Sequence, residues 1–223
     1  MVTATVSWST SRGSLSPVVL DHLLIDLITA IRRSFEEALL QRQAVEERFQ
    51  VDVFLGDVSW ETSYSLPGEE QPPRVRADLS IDWPTWSQTS YRSWSIGETP
   101  DEPPEVVVEV ALRIQRLAGA PPTSLVLGVL PVSSPALGVE PLVRSSTTIE
   151  QVHAEPEDGV SGPDRWAVEA TYEGSIRLEE SNLEDPTTIE PAIGQLTRWI
   201  ASTLVQLADL PLSFLPPDPA GER

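Results

Sequence analysis

The stretch RVRADLSIDW, residues 74–83, alternates without a slip. Val75, Ala77, Leu79, Ile81 and Trp83 fall on one parity, and Arg74, Arg76, Asp78, Ser80 and Asp82 on the other. In an extended chain successive side chains point to opposite faces, so one face is buried and the other wet. This pattern belongs to antiparallel sheet, because a parallel strand covered on both sides reads as a continuous apolar run. RWAVEATYEGSIRLEE, residues 165–180, repeats it and places Trp166, Val168, Ala170, Tyr172, Ile176 and Leu178 together. In VDVFLGDVSWETSYSL (51–66) the apolar parity is odd through Val51, Val53 and Leu55, then even at Val58, Trp60, Tyr64 and Leu66. Gly56 sits at the switch, where a strand carrying a β-bulge would place it. Further strands are expected at 2–8, 89–96, 105–117, 124–130 and 142–154.

Two helices frame this β-rich middle. The first is expected over about 17–48: Ser16 is a good N-cap, Pro17 suits the first helical position, and Leu15 can staple onto Leu20. Leu20, Leu24, Leu27, Ile31, Phe35 and Ala38 recur at helical spacing, although the last turns are mostly polar. The second helix is expected over about 188–208, with Ile189, Ile193, Leu196, Ile200, Leu204 and Leu207 as its stripe. The breaks LPGEEQPP (66–73), GETPDEPP (97–104), AGAPP (118–122) and EPEDGVSGPD (155–164) are turn chemistry. None of them separates two segments that each own a core. The expectation is therefore an α+β fold: a single twisted antiparallel sheet of about seven to eight strands, packed against both helices. One domain spans 1–209, followed by a Pro-rich tail at 210–223.

Composition narrows the chemistry. The 223 residues carry 34 acidic and 15 basic side chains, a formal net charge of −19. A field of that sign repels phosphate backbones and anionic headgroups, so neither nucleic acid nor membrane is expected as a partner. A halophile's solvated surface is another source of such acidity. The chain contains no lysine, which excludes Schiff-base chemistry and a phosphate-loop lysine. There is no cysteine, hence no thiol nucleophile and no disulfide. The uncharged stretch 118–139 is broken by Pro121, Pro122, Pro131 and Pro135, which forbids a spanning helix there. The opening MVTATVSWSTSRGS lacks the pattern of a secretory signal, and a cytoplasmic location is expected.

WPTWSQTSYRSW (83–94) concentrates three tryptophans and a tyrosine. Trp83 belongs to the buried face by register, and Trp94 on a return strand would pack across from it. That leaves Trp86 and Tyr91 as the candidates for an exposed stacking platform. His22 and Asp26 lie one helical turn apart, and His153 closes a strand with no identifiable partner; neither is tied to a recognisable catalytic or metal pattern. EPEDGVSGPD lacks the alternate-position spacing of a calcium loop and reads as a solvated hairpin tip. No glycine-rich phosphate loop, G-x-S-x-G elbow or H-E-x-x-H is present. No cofactor, metal or catalytic residue is expected.

Two segments point instead to contacts with other chains. One is the charge-free loop, through Leu125, Leu127, Leu130, Val132 and Leu137; the other is the tail, through Leu210, Leu212, Phe214 and Leu215. The first functional expectation is a non-catalytic subunit that assembles with itself or other chains, as in a virion, tail-like or injection-machine structure. The alternative comes from element order. Strand, helix, antiparallel strands and a C-terminal helix resemble the helix-grip arrangement of lipid- and hormone-binding folds. That resemblance implies a small apolar ligand between sheet and helix, lined by Trp60, Trp83, Trp166, Tyr172 and Trp199.

Overall fold

Each strand that alternates in sequence alternates in burial. Strand β3 (Val75–Trp83) is buried at every odd position and half-exposed at every even one. It lies between β2 (Asp57–Ser65) and β4 (Glu105–Leu117) in an antiparallel sheet whose order is β1-β2-β3-β4-β7-β6-β5. The remaining strands are β1 (Val45–Phe54), β5 (Ser133–Leu137), β6 (Glu140–Val152) and β7 (Arg165–Arg177). The structure is a computed structural model; it describes residues 29, 32–33, 37, 45–54, 57–69, 71–137, 140–153, 164–181 and 185–216.

Register brings the apolar parities into rows. Trp60 faces Ile81, Ile81 faces Val108, Leu79 faces Val110, and Val110 faces Tyr172. Across these rows lies helix α3 (Glu190–Ala208), entered through a 3-10 turn at Pro186–Ile189. Its expected stripe is buried without exception: Ile189, Ile193, Leu196, Ile200, Leu204 and Leu207. Sheet and helix close over one cluster of buried residues. At roughly 25 cal/mol per Å² of apolar surface removed from water, that shared interior is the main favourable term in folding. Tyr172 meets Trp199 of α3 edge-on, with centroids 5.0 Å apart, and its hydroxyl donates to the Pro131 carbonyl at 2.8 Å. Burial raises the Tyr172 phenol above its ordinary pKa, against an opposing effect of Arg144.

An α+β architecture with one antiparallel sheet is thus present, but several expected elements differ. The helix over about 17–48 does not reach its expected end, because β1 begins at Val45. Most of that span lies outside the described residues; Thr29, Arg32, Arg33 and Glu37 are helical, and Arg33 pairs with Glu190. The strand wins at its end because Phe49, Val51 and Val53 alternate by two and find Thr62, Trp60 and Val58 opposite them in β2. The parity switch therefore falls between two paired strands, Phe54 facing Asp57, not at a bulge within one; Gly56 itself lies outside the described residues.

Residues 89–96 are not a strand. Helix α1 (Thr85–Ser95) takes the place of the expected return strand, starting directly after Pro84. No side chain of α1 caps its start. The Asp57 carboxylate, arriving from β2, accepts from the Thr85 amide at 2.6 Å and hydroxyl at 2.7 Å. Both bonds hold the Asp57 carboxyl below its ordinary pKa. Residues 124–130 are likewise helical, as α2 (Thr123–Val129). Only Val126 and Leu130, one turn apart, are buried there, so the apolar run serves a helix face. The expected set of about seven to eight strands is not matched strand for strand: it included both of these helices and omitted β5. The expected strand at 2–8 lies outside the described residues.

Candidate interaction surface at the sheet edge

The aromatic residues proposed as a pocket or platform are mostly interior. Trp60, Trp83, Tyr91 and Tyr172 are buried, while Trp166 and Trp199 are half-buried against the core. Trp83 donates its indole N–H to Ser87 Oγ at 3.1 Å, and its ring partner is Tyr91, edge-on at 5.4 Å. Trp94 lies in the last turn of α1, half-buried against the core, and not on a return strand. Ser87 also accepts from the Glu105 amide at 2.8 Å, which ties α1 to the first residue of β4. Of the stretch 83–94, Trp86 is the large aromatic left exposed.

The described part of the proline-rich tail, as far as Pro216, lies along the end of β4. Leu117 and Phe214 form a β-bridge, Ala118 N–H donates to the Ser213 carbonyl at 2.9 Å, and Leu215 N–H donates to the Arg116 carbonyl at 2.7 Å. Arg116 adopts φ = 62°, a left-handed conformation unfavourable for a side-chain-bearing residue, at the bulge that breaks β4–β7 register. The Arg74 guanidinium stacks 5.3 Å above the Phe214 ring and is paired with Glu69 at 2.8 Å. Leu210, Leu212, Phe214 and Leu215 are each half-buried. A cleft of about 430 Å³ opens beside this seam, between residues 117–122 and 211–213.

The charge-free loop splits by face. Leu130 and Leu137 are buried and Leu125 is half-buried, whereas Leu127 is exposed and Val132 is 69% exposed. Val132 leads to the outer flank of the sheet, where its carbonyl accepts from the Arg144 amide at 2.8 Å. That bond and the β5 pairs Ser133–Val143, Ala136–Pro141 and Leu137–Glu140 cover the first residues of β6 and then stop. From Ser146 to Val152, after a register shift at Ser145, β6 is paired with β7 on its inner side, and among the described residues nothing pairs with its outer side. Every side chain in this span is exposed. Of the large apolar residues exposed among the described residues, Val143, Ile149 and Val152 lie on β6, Val132 directly precedes β5, and Leu127 lies on α2.

Charge on the open face of the sheet is arranged in rows that run across the strands, and the most acidic of them ends at Val143, where β5 covers β6. Glu61, Ser80, Glu109, Glu173 and Val143 are successive neighbours from β2 to β6. Glu109 and Glu173 stand directly opposite each other, a like-charge pairing that destabilises a sheet. The Glu109 carboxyl is raised above its ordinary pKa, first by desolvation and then by Glu173, Asp82, Glu169 and Glu61. The parallel row through Arg113 and Glu169 is partly neutralised, because Arg113 reaches Glu169 at 3.1 Å and Glu150 at 3.3 Å. Glu173 accepts from the Ser145 hydroxyl at 2.7 Å, which couples the row to the free edge. A cleft of about 280 Å³ lies on the same face, lined by Glu61, Ser63, Arg76, Asp78 and Glu109 among others.

His153 has a partner that is remote in sequence. Its Nδ1 lies 2.8 Å from Asp164 Oδ1, and Gln151 donates to Asp164 Oδ2 at 2.8 Å. These bonds hold the Asp164 carboxyl below its ordinary pKa and clamp the ends of β6 and β7. His22 and Asp26 lie outside the described residues, as does most of the acidic stretch 155–164. Among the described residues, no cluster of three or more histidine and acidic side chains is placed to hold a metal, and no helix is long and apolar enough to cross a membrane. No protein-family model, curated protein or solved structure matches the chain.

Proposed function

We propose that this protein is a non-catalytic structural or interaction subunit that assembles with other chains, its own copies or different ones, and works in the cytoplasm or in a particle built there. The observation that carries this reading is the outer side of β6 from Ser145 to Val152, which has no strand partner among the described residues. Unpaired backbone N–H and C=O groups at a sheet edge are a template for another chain, and natural edges are commonly blunted by lysine, proline or short length. This span contains no proline, its register irregularity is confined to its start at Ser145, and its Thr-Thr-Ile core favours extended chain. The exposed Leu127 and Val132 extend the same surface toward α2. Proteins are the expected partners, not nucleic acid or membrane, because a net charge of −19 opposes both.

Light scattering together with native mass spectrometry tests the reading on the full chain, alone and co-expressed with the proteins of its native host. A discrete assembly of fixed stoichiometry is expected. A clean monomer carrying extra small-molecule mass would contradict it and favour a ligand-binding module.

A further inference from the structure

We infer that the seam between β4 and the tail is a strand-acceptor slot exchanged between copies: in the assembly, residues 210–216 of one copy seat beside residues 116–118 of the next. The inference rests on the interaction-subunit reading and deepens it by naming the contact and its partner, a second copy of this chain. The slot fits this segment, because the chain's own tail occupies it. Leu117 bridges Phe214, and the Ala118 and Leu215 amides donate to the Ser213 and Arg116 carbonyls.

The acceptor side is held by bonds that do not involve the tail. Burial along β4 runs through Val108, Val110, Leu112 and Ile114 and then jumps to Leu117, a change of parity made by the bulge between Ile114 and Leu117. On one side Leu117 faces Trp166 of β7; on the other, β3 pairs with β4 no further than Val75 opposite Ile114. Gln115 fixes this corner by donating from its amide to the Arg74 carbonyl at 2.9 Å and from its side chain to the Pro73 carbonyl at 2.6 Å. Arg74, the cation over Phe214, is held from behind by Glu69. A strand that adds here meets a pre-organised edge, and main-chain hydrogen bonds supply its affinity.

The tail is attached more lightly. Leu207 in the last turn of α3 is fully buried, whereas Leu210, Leu212, Phe214 and Leu215 are half-buried. The chain reverses in one three-residue turn, where the Leu212 amide donates to the Leu210 carbonyl at 2.7 Å around Pro211. Pro211 and Pro216 push Leu210 and Leu215 toward extended backbone, so opening that turn makes an arm of the segment. Exchange keeps every seam contact; its cost is the hinge and the association, and close packing of copies in an assembly lowers the second. The net charge of −19 stays outside the seam, since residues 117–139 and 210–217 carry no charged side chain and Glu69 neutralises Arg74.

The test uses full-length chains and exploits the absence of cysteine. Ala118 and Ser213 are exposed and stand opposite each other across the seam. Opposed residues of an antiparallel pair lie about 4.5–5.5 Å apart between Cα atoms, within disulfide reach. One preparation carries Ala118→Cys and the other Ser213→Cys; they are mixed under reducing conditions and then oxidised. The 118–213 heterodimer is expected to exceed either homodimer at least about tenfold, and Phe214→Ala in both chains is expected to reduce that excess. Both substitutions in one chain check the seam itself, and a disulfide within the monomer is expected at high dilution. Failure of that chain to close, or a random mixture of dimers from the two preparations, overturns the inference. Native mass spectrometry of the unsubstituted chain separates it from the reading beneath. A fixed assembly without heterodimer preference overturns tail exchange and leaves the interaction subunit standing, whereas a monomer without that preference overturns both.

Discussion

Strands β3 and β6 belong to the same sheet and are exposed to opposite degrees. β3 has a neighbour on each side, and one of its faces is buried from Val75 to Trp83. Among the described residues, β6 is covered only over its first few positions, and from Ser145 onward both of its faces are exposed. The difference separates two tasks. The centre of the sheet is committed to the interior it shares with α3, while the far half of β6 contributes little to that interior. The other edge sharpens the point. β1 carries Glu46, Glu47, Arg48 and Asp52, whereas the stretch 145–152 carries only Glu150. Charges along an edge discourage further pairing, so the two edges of this sheet are not equivalent templates.

Core truncation gives the widest separation between the two strands. Leu79→Ala in β3 is expected to cost about 2–5 kcal/mol by denaturant unfolding, through lost transfer energy and a cavity. Thr147→Ala in β6 is expected to stay within about 0.5 kcal/mol, as for an ordinary surface change. Comparable losses at the two sites would erase the distinction.

Where β6 does join the core, the fit is tight. A Cβ on Gly174 would lie 2.8 Å from Leu142 Cδ2 and 3.3 Å from Leu142 Cα, and Leu142 is fully buried. Gly174→Ala is therefore expected to cost about 1–3 kcal/mol as an overpacking defect. Unfolding curves indistinguishable from the parent would mean that the β6–β7 seam is looser than this contact requires.

Smaller effects come from the two perturbed carboxyls, and they have opposite signs. The Asp57 carboxyl is held low by its bonds to Thr85, so its contribution is present above the unfolded aspartate range and is lost as pH falls through the folded value. Asp57→Ala is expected to lower the unfolding midpoint at neutral pH, with the difference shrinking on acidification. The Glu109 carboxyl is raised, so the unfolded chain releases this proton first and stability falls as pH climbs through that window. Glu109→Gln is expected to stabilise at neutral pH by less than about 0.5 kcal/mol, since solvent screens the site, and to have no effect once the carboxylates are protonated.

Legibility in the sequence followed periodicity. β3, β4, β7 and α3 were readable because each runs through several repeats of one period, and long uninterrupted periodicity survives tertiary packing. α1 and α2 were not. Each begins at a proline, and each buries too few residues for helical spacing to stand out: Ser87, Gln88 and Tyr91 in α1, Val126 in α2. The cap that fixes α1 comes from Asp57, 28 residues away, and local inspection does not reveal such a partner. Part of the candidate surface was visible, since Val132 and Leu127 stood out as apolar residues in a charge-free loop. Val143, Ile149 and Val152 did not. Their signal is that Ile149 and Val152 fall on opposite parities among polar neighbours, so SSTTIEQV is a strand with no apolar face. Alternation identifies a buried face and is silent about which strand has only one neighbour.

Native-state amide exchange across β3 and β6 of the unliganded full chain measures the central claim most directly. A strand bonded on one side only has every second amide pointing away from its neighbour. The expected result is slow exchange at every amide from Arg76 to Asp82, but alternating slow and fast exchange from Ser146 to Gln151. Uniform slow exchange along both strands in a dilute monomer would mean that the β6 edge is already covered, and would contradict the account.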